Sequence, residues 1–418
     1  MNPSIIKAAL AYIFSSFFVQ GVAFVSQLML MRWFSVAEYG NYALAFEALA
    51  VCNLVINGAF RNFYLKEIRN GKSCNVLLPY QLLYGTFWCA VSGLVISVLF
   101  KLDISVGFAI CMSMVLSSLF LPVSMEFLAK GYKWRLIFRD VLNSLSTLFI
   151  SFILIKYSYA NAKPYIWTVL LSQIIVNFFV FFKLNYIKDF FSFPYLKEIH
   201  SSIIPFFGVF IVNTIYNKLG ISYVNYFLGI ESVALYLAVF KFITPFYSIQ
   251  AALISAVMPK FTTEENFRFD LKFFSFFALP GALASLFLIV FFPYIISLFS
   301  LDKFSGLYYL MIYTAPVIFV VFIYGALSNY IAVNGGQKYI IATNLIGASF
   351  YIVLLLISHF LINSKNMLIC TISLFVITEC IVCMLYYARI RKQNNISIWF
   401  LISSVFIITY EVIMLIIR

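Results

Sequence analysis

Apolar runs long enough to cross a bilayer follow one another along almost the whole chain, with short polar breaks between them. A hydrocarbon core needs about 20 apolar residues per helix. The pattern predicts helices over residues 8–31, 40–64, 77–99, 104–128, 136–157, 164–184, 203–219, 231–256, 273–299, 307–333, 340–362 and 367–388. A further run covers 396–417, as a thirteenth span or an accessory helix. The seventh run is the weakest, because Asn213, Asn217 and Lys218 interrupt it. The first lacks a small-residue cleavage site after it and reads as a permanent anchor.

Composition agrees with an all-α polytopic membrane protein. Of the 418 residues, 64% are hydrophobic and only 10% charged, and the mean hydropathy is +1.00. The net charge of +13 does not point to nucleic acid, because the basic residues sit in short loops between spans. With the N-terminus inside, eighteen of the 28 Lys and Arg fall in inside segments and eight outside. That asymmetry, repeated over alternate loops, predicts a cytoplasmic N-terminus. The seven cysteines show no zinc or disulfide spacing, and no cofactor is expected.

The chain also repeats itself. Shifted by 194 residues, the second span falls on the eighth: Tyr42 on Tyr236, Phe46 on Phe240, Glu47 on Lys241, Lys66 on Lys260. Leu102-Asp103 after the third span resembles Leu301-Asp302 after the ninth. Lys130-Gly131-Tyr132-Lys133 resembles Gly335-Gly336-Gln337-Lys338. Six spans separate the copies, which makes them parallel repeats, a transporter architecture. The expected organisation is an N-terminal six-helix lobe over 1–184, a cytoplasmic linker over 185–202, a C-terminal six-helix lobe over 203–392 and an extra helix over 393–418.

Several stretches resemble one family. Arg32-Trp33-Phe34-Ser35-Val36-Ala37-Glu38-Tyr39-Gly40-Asn41-Tyr42 leads into the second span. Pro280-Gly281, Thr378-Glu379-Cys380 and the Gly-plus-basic loops after spans four and ten complete the pattern. Over residues 1–392 the chain resembles the O-antigen flippases (Wzx type), in the superfamily of multidrug and toxin extrusion (MATE) transporters and lipid II flippases. The resemblance implies two six-helix lobes around a central cavity. It implies an inner-membrane protein of lipopolysaccharide biosynthesis that moves undecaprenyl-pyrophosphate-linked oligosaccharide to the periplasmic leaflet by alternating access. A polysaccharide polymerase and a chain-length regulator would be its partners. The run at 396–417 departs from the usual twelve spans. Lipid II flippases carry basic residues on helices one, two and eight; this chain has Arg61 and Lys241 on the last two, but Gln20 and Gln27 on the first.

Polar residues inside spans are costly and tend to face a cavity or a partner. Glu47, Asn53, Asn57 and Arg61 share one face of the second span, with Glu47 and Arg61 about 21 Å apart along the axis. Arg61 suits pyrophosphate through its guanidinium fork, or snorkels to headgroups. Lys241 is too deep for easy snorkelling, shares its face with Thr244, Ser248 and Ser255, and lies before a bend expected at Pro245. It would draw an anionic carrier, or pair with Glu47 at the repeat-equivalent position. Arg139, Asn143, Thr147 and Ser151 form an i,i+4 stripe that would bind sugar hydroxyls or serve interhelical hydrogen bonds. Asn213 and Lys218 are further cavity candidates. Glu379 is a candidate for proton or cation coupling, or a structural acid. His359 and Glu411 are expected near the interface.

An enzyme is disfavoured: loops are short, no acids pair for metal or acid–base chemistry, and no Walker loop exists. A multidrug or metabolite exporter and a lipid II flippase are the alternatives. If Glu47 and Lys241 pair, reversing both charges restores the transport that either single reversal destroys. An export assay on the three variants checks this, and absence of rescue rejects the pairing.

Overall fold

The computed structural model describes residues 3–69, 71, 74–129, 133–157, 161–181, 214, 216–263, 269–304, 306–334, 336–391 and 396–416. The chain divides into two units, Met1–Thr214 and Ile215–Arg418. The expected linker and Asn213 lie outside the described residues. Nine helices among the described residues are long and apolar enough to cross a membrane, ten if a bent pair counts as one span.

In the first unit, α1 is Pro3–Trp33 and α2 is Val36–Arg69. The third span comprises α3 (Cys74–Tyr80), a π turn (Gln81–Gly85) and α4 (Thr86–Leu99). Pro79 lies inside α3, and the π turn begins two residues after it. The fourth span, expected as one helix over 104–128, is two: α5 (Ile104–Ser118) and α6 (Leu121–Ala129), bent by 46°. Pro122 stands at the break and supplies its cause. Then come α7 (Lys133–Lys156) and α8 (Ala162–Phe181).

Polar contacts tie three turns together at one end of this unit. The Ser35 hydroxyl accepts from the Glu38 amide at 3.2 Å and caps α2. The Glu38 carboxylate accepts from the Ala162 amide at 2.7 Å. Asp103 caps α5 through the Ser105 amide and meets Lys163 at 2.8 Å. Lys163 first, and Ser105 after it, hold the Asp103 carboxyl down to about 2, so this bond forms at ordinary pH and is lost only as pH falls through about 2. The start of α2, the start of α5 and the start of α8 thus meet at one end, as alternating spans require.

The second unit begins with α9 (residues 216–227), which runs well beyond the span end expected at 219. There follow α10 (Ile230–Thr263), α11 (Leu271–Leu298), α12 (Leu307–Thr314), α13 (Pro316–Val333), α14 (Gln337–Leu361), α15 (Ser364–Arg391) and α16 (Trp399–Ile416). Helix α16 is no loose accessory: Phe400, Ser404, Ile407 and Glu411 are buried, and Phe400 packs edge-on against Phe269 and Phe274. The Ser397 amide donates to the Phe269 carbonyl at 2.7 Å, fixing where α16 starts.

Three details repeat between the units. Helices α2 and α10 are both 34 residues long and start 194 residues apart. The breaks at Pro122 and Pro316 also differ by 194. Helices α4 and α11 end in the same cap: Leu102 N–H bonds Ser97 O and Leu301 N–H bonds Ile296 O, with Lys101 and Ser300 at φ 50° and 53°. That six-to-one bond around a left-handed residue is a Schellman closure.

Gly281, beside Pro280 on α11, lets α13 approach: a Cβ there would lie 3.1 Å from the Phe319 Cα. Around Gly21 nothing lies within 4 Å. Gly281→Val should therefore cost at least about 1–3 kcal/mol, the price of overpacking, whereas Gly21→Ala should be neutral or slightly stabilising. Thermal unfolding of the purified protein in detergent checks both.

Candidate functional site

Among the described residues each unit carries a polar centre, and the two are built from matching helices. In the first unit the centre is a cavity of about 210 Å³ between α2, α5, α6, α7 and α8. Leu49 and Asn53 of α2, Ser113 and Ser117 of α5, Ser124 of α6, Arg139, Asp140 and Asn143 of α7, and Gln173 and Asn177 of α8 line it, with Met114, Phe120 and Leu121. Arg139 and Asp140 neutralise each other within the wall: both Nε, at 2.8 Å, and a terminal nitrogen, at 2.7 Å, donate to Oδ1. Asn177 donates to the Gln173 carbonyl at 2.9 Å. The Oδ1 atom of Asn143 is buried and accepts no hydrogen bond.

The stripe expected on α7 divides here. Arg139 and Asn143 reach the cavity, but Thr147 donates to the Asn143 carbonyl, and Ser151 donates to the Thr147 carbonyl and meets the Tyr165 hydroxyl at 2.8 Å. The face expected on α2 divides too. Asn53 lines the cavity, Glu47 is buried and Arg61 is exposed, while the side chain of Asn57 lies outside the described residues.

In the second unit the centre is an acid among tyrosines. Glu379 of α15 is only 1% exposed, and its Oε1 accepts from the Tyr216 hydroxyl at 2.7 Å. Tyr247, Tyr324 and Tyr386 surround it. The Oε2 atom of Glu379 is buried without a hydrogen bond. Tyr386 donates to Asn344 Oδ1 at 3.2 Å. Counted from their helix starts, Asn177 and Glu379 are both sixteenth residues, of α8 and α15. Asn53 and Tyr247 are both eighteenth residues, of α2 and α10. The repeat thus places an amide-lined cavity in one unit where the other holds an acid among tyrosines.

Lys241 sits near the middle of the apolar span Ile230–Ile254, half-buried. Lys218 of α9 is half-buried, and its carbonyl accepts from Ser222 at 3.0 Å. The Tyr-Gly-x-Tyr stretch, read as a family mark, serves packing. Tyr39 donates to Gln27 Oε1 at 3.2 Å, Gln27 donates to the Tyr42 hydroxyl at 2.6 Å, and Phe34 packs edge-on against Tyr165.

Glu411, five residues before the end of α16, is fully buried, and neither carboxylate oxygen is hydrogen-bonded. Its burial comes from the packing of α16 within the second unit, which the apolar run alone does not reveal. Sequence reasoning also missed Gln173 and Asn177, isolated amides whose convergence with Asn53 depends on tertiary packing. Among the described residues no group of His, Cys, Asp and Glu could hold a metal.

No family model and no curated protein matches the chain. Solved structures do. A lipid II flippase MurJ in an inward closed conformation superposes with a TM-score of 0.67 at 13% identity, covering 98% of this chain and 100% of that one. An inward-facing multidrug-resistance MATE transporter of the MOP superfamily gives 0.65 at 12% identity, covering 89% and 95%. A MOP superfamily transporter from Pyrococcus furiosus, described as having a binding pocket of reverse polarity, gives 0.56 at 14%, covering 92% and 95%. The chain therefore has the all-helical fold shared by MATE transporters and this flippase.

Tyr216→Phe removes the bond between α9 and Glu379. Interhelical hydrogen bonds in membranes average about 0.6 kcal/mol and reach about 1.7, so a loss of about 1 kcal/mol is expected. Unfolding in mixed micelles measures it.

Proposed function

We propose that this protein is a membrane flippase for an oligosaccharide carried on undecaprenyl pyrophosphate. It moves this cargo from the cytoplasmic to the periplasmic leaflet. Lys241 carries the reading. A lysine at the centre of a span costs about 2.5–3.5 kcal/mol on insertion scales, a cost an anionic cargo would offset during transport. Arg61 on α2 adds a guanidinium suited to forked phosphate contacts. The fold shared with a lipid II flippase supports the same class of cargo.

Lys241, Arg61 and Lys218 bind the pyrophosphate in this reading, while Asn53, Asn57, Arg139 and Asn213 meet the glycan. Glu379 is the coupling site. Its Oε1 is held by Tyr216 and its Oε2 is unpartnered, which is the arrangement of a carboxyl that takes and releases one proton or cation. The second reading, a drug or metabolite exporter, shares the fold. A cationic drug would need an uncompensated carboxylate; the carboxylate in the first unit's cavity is engaged by Arg139, so an exporter would have to use Glu379 of the second unit.

Cells depleted of the protein test the proposal. Single lipid-linked repeat units should accumulate on the cytoplasmic leaflet, inaccessible from the periplasm. Lys241→Ala should fail to relieve this, and Glu379→Gln should slow transport at least tenfold. Accumulation on the periplasmic leaflet would indicate a polymerase or ligase defect, and no accumulation would favour the exporter.

A further inference from the structure

We infer that the cavity of the first unit is a binding subsite for one uncharged sugar residue. This deepens the reading above and rests on it for the source of the sugar. The argument starts from charge. The wall holds one cation and one anion, Arg139 and Asp140, and they neutralise each other at 2.7 Å. Neither a phosphate nor an organic cation finds an unmatched counter-charge there.

Composition narrows the ligand further. Nine of the thirteen lining residues are polar, the reverse of drug-sized sites, which are mostly apolar. Four of the nine are carboxamides, Asn53, Asn143, Gln173 and Asn177. A carboxamide offers an acceptor and two donors side by side, which matches the vicinal hydroxyls of a sugar ring. Size agrees. About 210 Å³ falls below the roughly 300–1,000 Å³ of drug sites, and suits one ring rather than a chain.

Two details point to an absent ligand. Asn143 Oδ1 is buried without a donor, and a buried acceptor left unmade costs about 1–3 kcal/mol. A sugar hydroxyl supplies that donor. Phe120 lies in the same wall, its ring held by an edge-on contact to Phe178 at 4.8 Å. It offers an apolar surface to the C–H face of a pyranose while the amides take the hydroxyls.

Saturation-transfer NMR on the full chain in nanodiscs tests this. The probes are methyl glycosides of neutral hexoses and N-acetylhexosamines, with sodium pyrophosphate and tetraphenylphosphonium as comparators. At least one glycoside should show transfer that neither comparator displaces, reduced at least tenfold by Asn143→Leu. Gln173→Leu provides the second variant if the first does not fold, and should weaken binding in the same sense. No glycoside signal, a signal unchanged by either variant, or displacement by a comparator would overturn the inference. Glycoside binding in a protein whose depletion leaves lipid-linked repeats unaffected would reject the flippase reading and keep the subsite. Leaflet accumulation without glycoside binding would do the reverse.

Discussion

A spanning chain must satisfy its backbone hydrogen bonds within itself, because hydrocarbon offers no partner. Several irregularities among the described residues are arranged around that constraint. The third span stays helical throughout, with Pro79 inside α3 and a π turn joining α3 to α4. At Pro122 and Pro316 the helix breaks but resumes at once. Ser285 donates to the Ala315 carbonyl at 2.8 Å beside the second break. The ends of α4 and α11 turn through a left-handed residue that keeps their last carbonyls bonded.

Polar side chains face the same constraint, and the two units meet it differently. The second unit surrounds Glu379 with tyrosines, whose rings fill space while a hydroxyl holds one carboxylate oxygen. The first unit keeps space open and lines it with amides and serines. Threonine hydroxyls elsewhere, such as those of Thr147, Thr371 and Thr378, turn back onto carbonyls four residues earlier. Among the buried atoms left without a hydrogen bond are Asn143 Oδ1 in the first centre, Glu379 Oε2 in the second, and both carboxylate oxygens of Glu411 on α16.

The helices and the repeat were legible in the sequence because both rest on local pattern. The 194-residue offset seen in Tyr42 and Tyr236 is that of α2 and α10, and both tyrosines pack on the phenylalanine four residues on, at 4.8 and 4.9 Å. The broken fourth span was not read, although Pro122 signals it, because the hydropathy runs on through the break. Stripes were legible only in part. Helical spacing put Arg139 and Asn143 on one face, but could not tell which hydroxyls below them would bond to backbone. Gln173, Asn177 and the burial of Glu411 depend on which helices pack together, and that is carried by contacts such as those of Phe400, not by periodicity.

The central claim is that a basic residue in mid-membrane serves an anionic, glycan-bearing lipid. Native mass spectrometry of the gently purified protein tests this most directly, by weighing what it retains. The account predicts a polyprenyl diphosphate bearing a short glycan, reduced at least tenfold in Lys241→Ala. Retention of no such lipid, or equal retention by the variant, would contradict it.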